Sequence, residues 1–199
     1  MKKLRALKDL NIEVISGQIM SRVTAKKDSD EPFAEVRKVI VPKAIGADGT
    51  VNVEELPEEK LKIPADDKRI TKVGDIVIKL STPFDAALID EDSKDCIVPS
   101  FCAIVRCPED IDVNYLVAFL NSSYCKEQIK VMVAGATMTV LSVGKVLSIL
   151  MPKPDMVEQK EIGANYIKVQ QKLRVLKQIV DLEIKRNDVV FREMVKDYE

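Results

Sequence analysis

From Ile162 onward, the apolar residues Ile162, Tyr166, Val169, Leu173, Leu176, Val180, Ile184, Phe191 and Val195 follow one another at steps of three, four or seven. That is the period of one face of a helix. Proline is absent from Asp155 to Glu199 and Gly163 is the only glycine there, so the pattern predicts a single helix of about forty residues, about 60 Å long. Its stripe outlasts the width of the domain that the preceding residues can form. A second helix or another partner is therefore expected against it. The steps from Leu176 to Val180 to Ile184 are four and then four, a stutter that locally unwinds a supercoil and favours a short or straight helix pair.

Upstream the period changes repeatedly. Leu4, Leu7 and Leu10 have helical spacing, residues 11–15 switch to the alternation of a strand, and Ser16-Gly17-Gln18 supplies a turn. Residues 21–34 are polar and predict a loop, residues 36–42 predict a strand, and Ala47-Asp48-Gly49-Thr50 predicts a turn into a short strand at 51–53. The acidic stretch 54–67, with Pro57 and Pro64, reads as a solvated loop or short helix. Gly74-Asp75 introduces the clearest strand, residues 76–80, and Ser81-Thr82-Pro83 ends it. Residues 96–98 and 101–106 read as strands on either side of Pro99-Ser100. Asp112 is placed to cap a helix over 113–120, with Tyr115, Leu116, Phe119 and Leu120 on one face. A further helix over 124–133 and a Gly135-Ala136-Thr137 turn follow, then a small segment from Met138 to Met151. The predicted fold class is α/β, more specifically mixed α+β. Residues 1–151 form a globular domain with a mixed sheet and short helices, and residues 152–199 form the long helix.

The formal net charge of −1 gives no global signature of a nucleic-acid binder, so such a role must rest on local patches. Residues 1–43 hold ten Lys and Arg against six Asp and Glu, whereas residues 48–67 hold seven acids and two lysines. Residues 155–199 carry nine acids and nine bases, an interleaved and neutral surface that favours another helix over phosphates. There is no histidine, which removes Ser-His-Asp triads, Cys-His dyads and the HExxH motif together. The cysteines at 96, 102, 107 and 125 lack the close pairs of a zinc site, and no Gly-x-Gly follows a strand. Neither a metal nor a cofactor is expected. Without an apolar leader or a run near twenty apolar residues, the chain is expected in the cytoplasm, away from membranes, with reduced thiols. Pro83-Phe84-Asp85 followed by Asp92-Ser93-Lys94 is a distant imitation of a carboxylate-and-lysine nuclease, with short separation. A scaffold that binds no DNA and works through its long helix is the other alternative.

Four stretches, in order, resemble the specificity subunits of Type I restriction-modification systems. Leu7-Lys8-Asp9-Leu10 with Gly17 resembles the start of a target recognition domain, and Lys72-Val73-Gly74-Asp75-Ile76-Val77 resembles its central strand. Residues 115–122, then Gly135-Ala136-Thr137 and Leu141-Ser142, are similar to the helix and loop that come next. Residues 151–162, from Met151-Pro152-Lys153-Pro154 to Glu158-Gln159 and Ile162, resemble the proline-rich lead-in to the family's long helix, with Lys153 and Asp155 where the family has apolar residues or another proline.

The resemblance implies a non-catalytic DNA-binding half subunit with one recognition domain and one helix. Its homodimer would pack two helices antiparallel as a spacer and read a two-part, symmetric site in double-stranded DNA. By the same resemblance its partners are a methyltransferase subunit, which uses S-adenosylmethionine, and a translocating endonuclease subunit. DNA reading needs cations for phosphates and polar side chains on loops that reach base edges. The candidates are Gly17, Gln18, Arg22, Lys43, Lys79, Ser81, Thr82, Gly135 and Thr137. For the dimer or partner interface they are Pro154, Gln159, Ile162, Tyr166, Val169, Leu173, Leu176, Val180 and Ile184.

Overall fold

Strand β5, Ile76–Lys79, is apolar without a break because both of its faces are covered. In the computed structural model, which describes residues 3–25, 32–134, 140–196 and 198, it lies inside a four-stranded antiparallel sheet. The order is β2 (Glu13–Ser16), β7 (Cys102–Arg106), β5, β6 (Ala86–Leu88). Alternate side chains go to opposite faces. Ile76, Ile78, Ala86, Ala103 and Val105 pack under helices α2, Val113–Asn121, and α3, Ser123–Val133. Val77, Ala87, Cys102 and Ile104 pack against Ile40, Ala44, Ile45 and Leu56 on the other side. Asp112 caps α2 by accepting from the Tyr115 N–H at 2.9 Å.

The acidic stretch is not a loop or helix throughout. Residues Glu58–Leu61 form strand β4, antiparallel to β3, Glu35–Lys38. In the register Glu58 lies opposite Lys38 and Glu59 opposite Arg37, so that opposite charges rather than like ones face each other, and Leu61 is fully buried. Elsewhere the local readings shift by a few residues. Leu4–Ala6 is a strand, β1, paired with β8 at Leu150–Pro152, and Leu7–Leu10 is a 3-10 turn ended by Asn11 at φ 56°. The stretch 21–34 opens with a short helix, α1, Met20–Val23. Residues 51–53 supply one bridge, Ile45 to Val51, and the start of a 3-10 turn. Ile97 bridges to Val39 and Ile70 without forming a ladder. Helix α4 covers Val143–Leu147. The turn at Gly135-Ala136-Thr137-Met138 lies outside the described residues.

The long helix is present as α5, Met156–Lys196, about 60 Å at 1.5 Å per residue. Its first turns are built into the domain. Gln159 is buried; its Oε1 accepts from the Asp112 N–H at 3.0 Å and its Nε2 donates to the Pro154 carbonyl at 3.0 Å. The Tyr115 hydroxyl donates to the Pro152 carbonyl at 2.7 Å. Gly163 lets α5 close on α2, since a Cβ there would sit 2.7 Å from Asp112 Oδ1 and 2.8 Å from the Tyr115 nitrogen. One turn on, Asn121 Nδ2 donates to the Tyr166 hydroxyl at 3.0 Å. The Lys153 ammonium pairs with Asp110 and Pro154 is buried, so the corner is packed despite its charged residues. Among the described residues the last tie to the domain is Arg174 with Asp48 at 3.1 Å.

Candidate nucleic-acid interface

The antiparallel register gathers loops that are far apart in sequence at one end of the main sheet. Ser16 and Ile78 both lie opposite Ala103, so the residues after β2 and β5 and those before β7 emerge together. Backbone hydrogen bonds knit them. Gly17 N–H donates to the Cys102 carbonyl at 3.0 Å, Ser100 N–H to Gln18 at 2.8 Å, Leu80 N–H to Phe101 at 2.9 Å, and Leu141 N–H to Leu80 at 2.7 Å. Ser81 also bridges to Val140. Among them stands Phe101, a large aromatic that is 68% exposed.

Of the residues expected to contact DNA, Gln18, Ser81 and Thr82 share this end. Gly17 is there as well, but it is buried, and an added Cβ would clash with the Pro99 carbonyl oxygen; its work is close backbone packing. The Gln18 Oε1 is buried with no hydrogen-bond partner among the described residues. Arg22 is exposed on α1. Lys79 is committed elsewhere: its ammonium lies 3.2 Å from the buried Asp85, which also takes Lys126 at 2.6 Å. Lys43 is exposed and paired with Glu55, in the segment that covers the sheet's other face. Gly135 and Thr137 lie outside the described residues.

Phe101, Lys60 and Lys62 were not legible as site residues. The lysines reach the site's flank because β4 runs beside α1, with Ala25 N–H donating to the Lys60 carbonyl and Lys62 N–H to the Val23 carbonyl, both at 2.8 Å. Arg69 is drawn to the same place, its guanidinium donating to the Gly17 carbonyl at 3.2 Å. Arg69 is half-buried and also pairs with Asp66, so the exposed cations beside these polar and aromatic tips are Lys60 and Lys62, a kind of side chain that can hold phosphates while the tips face bases.

The thiols offer no chemistry there. Burial pushes Cys102, Cys107 and Cys125 up to about 12, far from the thiolate that reacts or binds metal. Among the described residues no group of three His, Cys, Asp or Glu could hold a metal, and no helix is long and apolar enough to cross a membrane. The nuclease-like residues are dispersed in role. Asp85 is neutralised by two lysines, Asp92 is exposed, and Lys94 pairs with Glu91 at 2.8 Å.

The expected interface residues on α5 divide in two. Pro154 and Gln159 are buried within their own chain, and Tyr166 is half-buried against it. Ile162, Val169, Leu173, Leu176, Val180 and Ile184 are between 43% and 64% exposed.

No family model and no curated protein matches the sequence. Solved structures do match in fold. A chain of a type I R-M system has a TM-score of 0.63 at 17% identity, covering 92% of this chain and 43% of that one. The HsdS subunit from Thermoanaerobacter tengcongensis has a TM-score of 0.59 at 17% identity, covering 89% and 39%. The fold is that of Type I specificity subunits. A third example, the S subunit of the Type I restriction-modification system of M. genitalium, has a TM-score of 0.54 at 13% identity, covering 92% and 42%. The chain thus spans less than half the length of each of these three chains.

Proposed function

We propose that the chain is a DNA-reading specificity subunit of a Type I restriction-modification system and does no chemistry itself. Residues 1–151 act as its recognition domain and residues 152–199 as its spacer. Two copies pair through α5 and read a two-part target in double-stranded DNA, an inverted repeat because the halves are identical. The pair carries the methyltransferase and the translocating endonuclease subunits, in the cytoplasm. The observation that carries this reading is the half-exposed apolar stripe of α5 running on past its last tie to a domain of specificity-subunit fold. Gln18, Phe101, Ser81 and Thr82 face the bases, and Arg22, Lys60 and Lys62 the phosphates.

Selection from randomised duplexes by electrophoretic shift, with the methyltransferase subunit present, tests it. The expected product is a bipartite symmetric site, bound about tenfold more weakly by Phe101→Ala, the loss of one apolar contact to a base edge. A stable partner complex that selects no DNA would replace this reading with that of a helical scaffold.

A further inference from the structure

Beyond its seat at Gly163, α5 is held to the domain by a small closed loop. In residues 46–50 the Gly49 N–H donates to the Gly46 carbonyl at 3.2 Å and the Gly46 N–H to the Thr50 carbonyl at 2.8 Å. Asp48 Oδ1 accepts from the Thr50 N–H at 3.2 Å and from the Thr50 hydroxyl at 2.8 Å, which leaves Oδ2 for Arg174. On the sheet side, the Leu88 N–H donates to the Gly49 carbonyl at 2.9 Å, so the loop is fastened to the edge strand β6. On the helix side, Arg174 Nε donates to Asp48 Oδ2 at 3.1 Å, and Nη2 reaches the same oxygen at 3.1 Å and Thr50 Oγ1 at 3.4 Å. Between these two attachments Gly49, at φ 80°, lies against Tyr166, whose hydroxyl would be 2.8 Å from an added Cβ. Asn121 completes the contact. Its amide holds both backbone groups of Ala86 on β6, at 2.9 and 2.7 Å, and donates to that hydroxyl at 3.0 Å.

The arrangement suits direction better than strength. The side chains of Arg174 and Asp48 are 46% and 30% exposed, and a pair so open to water adds little to stability. The planar guanidinium, however, fixes the line of approach in a way that an ammonium does not. Arg174 is eleven residues beyond Gly163, a lever of about 16 Å at 1.5 Å per residue. A slackening of about 1.5 Å there, enough to exchange a direct bond for a water-bridged one, turns the domain about its Gly163 seat by about 5°. Over a domain about 20 Å deep, that moves the loops around Phe101 by about 1.7 Å. Two domains moving oppositely then change their separation by about one base-pair step of 3.4 Å. We propose that loop 46–50 is a brace that fixes the angle of the reading domain on α5, with Asp48 and Arg174 as its positioning residues, and thereby sets which gap between half-sites is accepted. The statement about the gap rests on the homodimer reading above; the brace itself does not.

Two measurements on the full chain test the two parts separately. The first places spin labels at Asp67→Cys and Lys185→Cys in a Cys107→Ser chain, the other three thiols being buried, diluted with unlabelled chain so that only distances within one molecule count. Lys185 is twenty-two residues beyond Gly163, so the distance distribution is expected to broaden by about 3 Å in Arg174→Ala and by less in Arg174→Lys. The Tm should stay within about 3 °C of the wild type. An unchanged distribution in Arg174→Ala would overturn the brace. The second measurement uses duplexes carrying the half-sites that the wild type selects, with the gap varied one base pair at a time and the methyltransferase subunit present. The wild type is expected to prefer one gap about tenfold, and Arg174→Ala about threefold or less, on the same half-sites. Equal weakening at every gap, or a preference that does not fall, would overturn the assignment of the gap to the brace. A wild type that selects no bipartite site would overturn the homodimer reading and the gap assignment together, while the distance measurement still decides the brace.

Discussion

The two parts of α5 are one uninterrupted helix with two different relations to the rest of the chain. Between Met156 and Gln170 it is a structural member of the domain: Gln159 and Gly163 are buried, and Tyr166 shares a hydrogen bond with Asn121. From Gln171 onward every described residue is exposed, yet Leu173, Leu176, Ile179, Val180, Leu182 and Ile184 are as apolar as any core segment. Apolar residues in a row on an uncovered surface mark an interaction site rather than a fold requirement. The contrast teaches that periodicity reports the wish to be buried and does not say by what. The same stripe serves the domain at one end and is left exposed at the other.

That division predicts a gradient of effects. Gly163→Leu should be the most damaging, since its side chain must enter the space of Asp112 Oδ1 and the Tyr115 nitrogen. About 3 kcal/mol is expected for overpacking of this kind, a fall of roughly 6–12 °C in Tm for a chain of this size. Gln159→Ala should cost about 1–3 kcal/mol, because the Asp112 N–H and the Pro154 carbonyl lose their partner in a buried place; denaturant titration reads it. If either change left the midpoint where it is, the joint between α2 and α5 would not be structural.

A smaller effect concerns pH. Burial, and then the neighbouring Glu158, raise the Tyr115 phenol to about 12, and burial raises Tyr166 as well. The folded chain holds these protons after the unfolded chain has released them near pH 10. Stability from this source is therefore complete below about pH 10 and is lost as pH rises toward 12. Thermal melts across that window should show the decline, and Tyr115→Phe should flatten it.

Much of this was written in the local sequence. The 3.6-residue period defined α5, the apolar run after Gly74-Asp75 defined β5, and Asp112 announced α2. These are signals that neighbours alone generate. What was not legible depended on distant residues. Residues 58–61 looked solvated because each glutamate was read alone, whereas the register sets Lys38 and Arg37 opposite them and buries Leu61. Lys79 looked available because nothing local shows that Asp85 is buried beside it. Phe101, next to a strand, had the pattern of a core residue, and only the convergence of three loops leaves it outside. Gln159 shows no period at all; its value lies in two backbone groups brought to it by the fold.

The central claim, that the distal half of α5 is an assembly surface and not part of the domain's own stability, is tested most directly by sedimentation of the wild type beside Leu173→Glu/Leu176→Glu. The expected result is a dimer that becomes a monomer, with the monomer's unfolding free energy changed by less than about 0.5 kcal/mol, as for exposed positions elsewhere. A dimer unchanged by both charges would contradict the claim and place the interface on another face of the molecule.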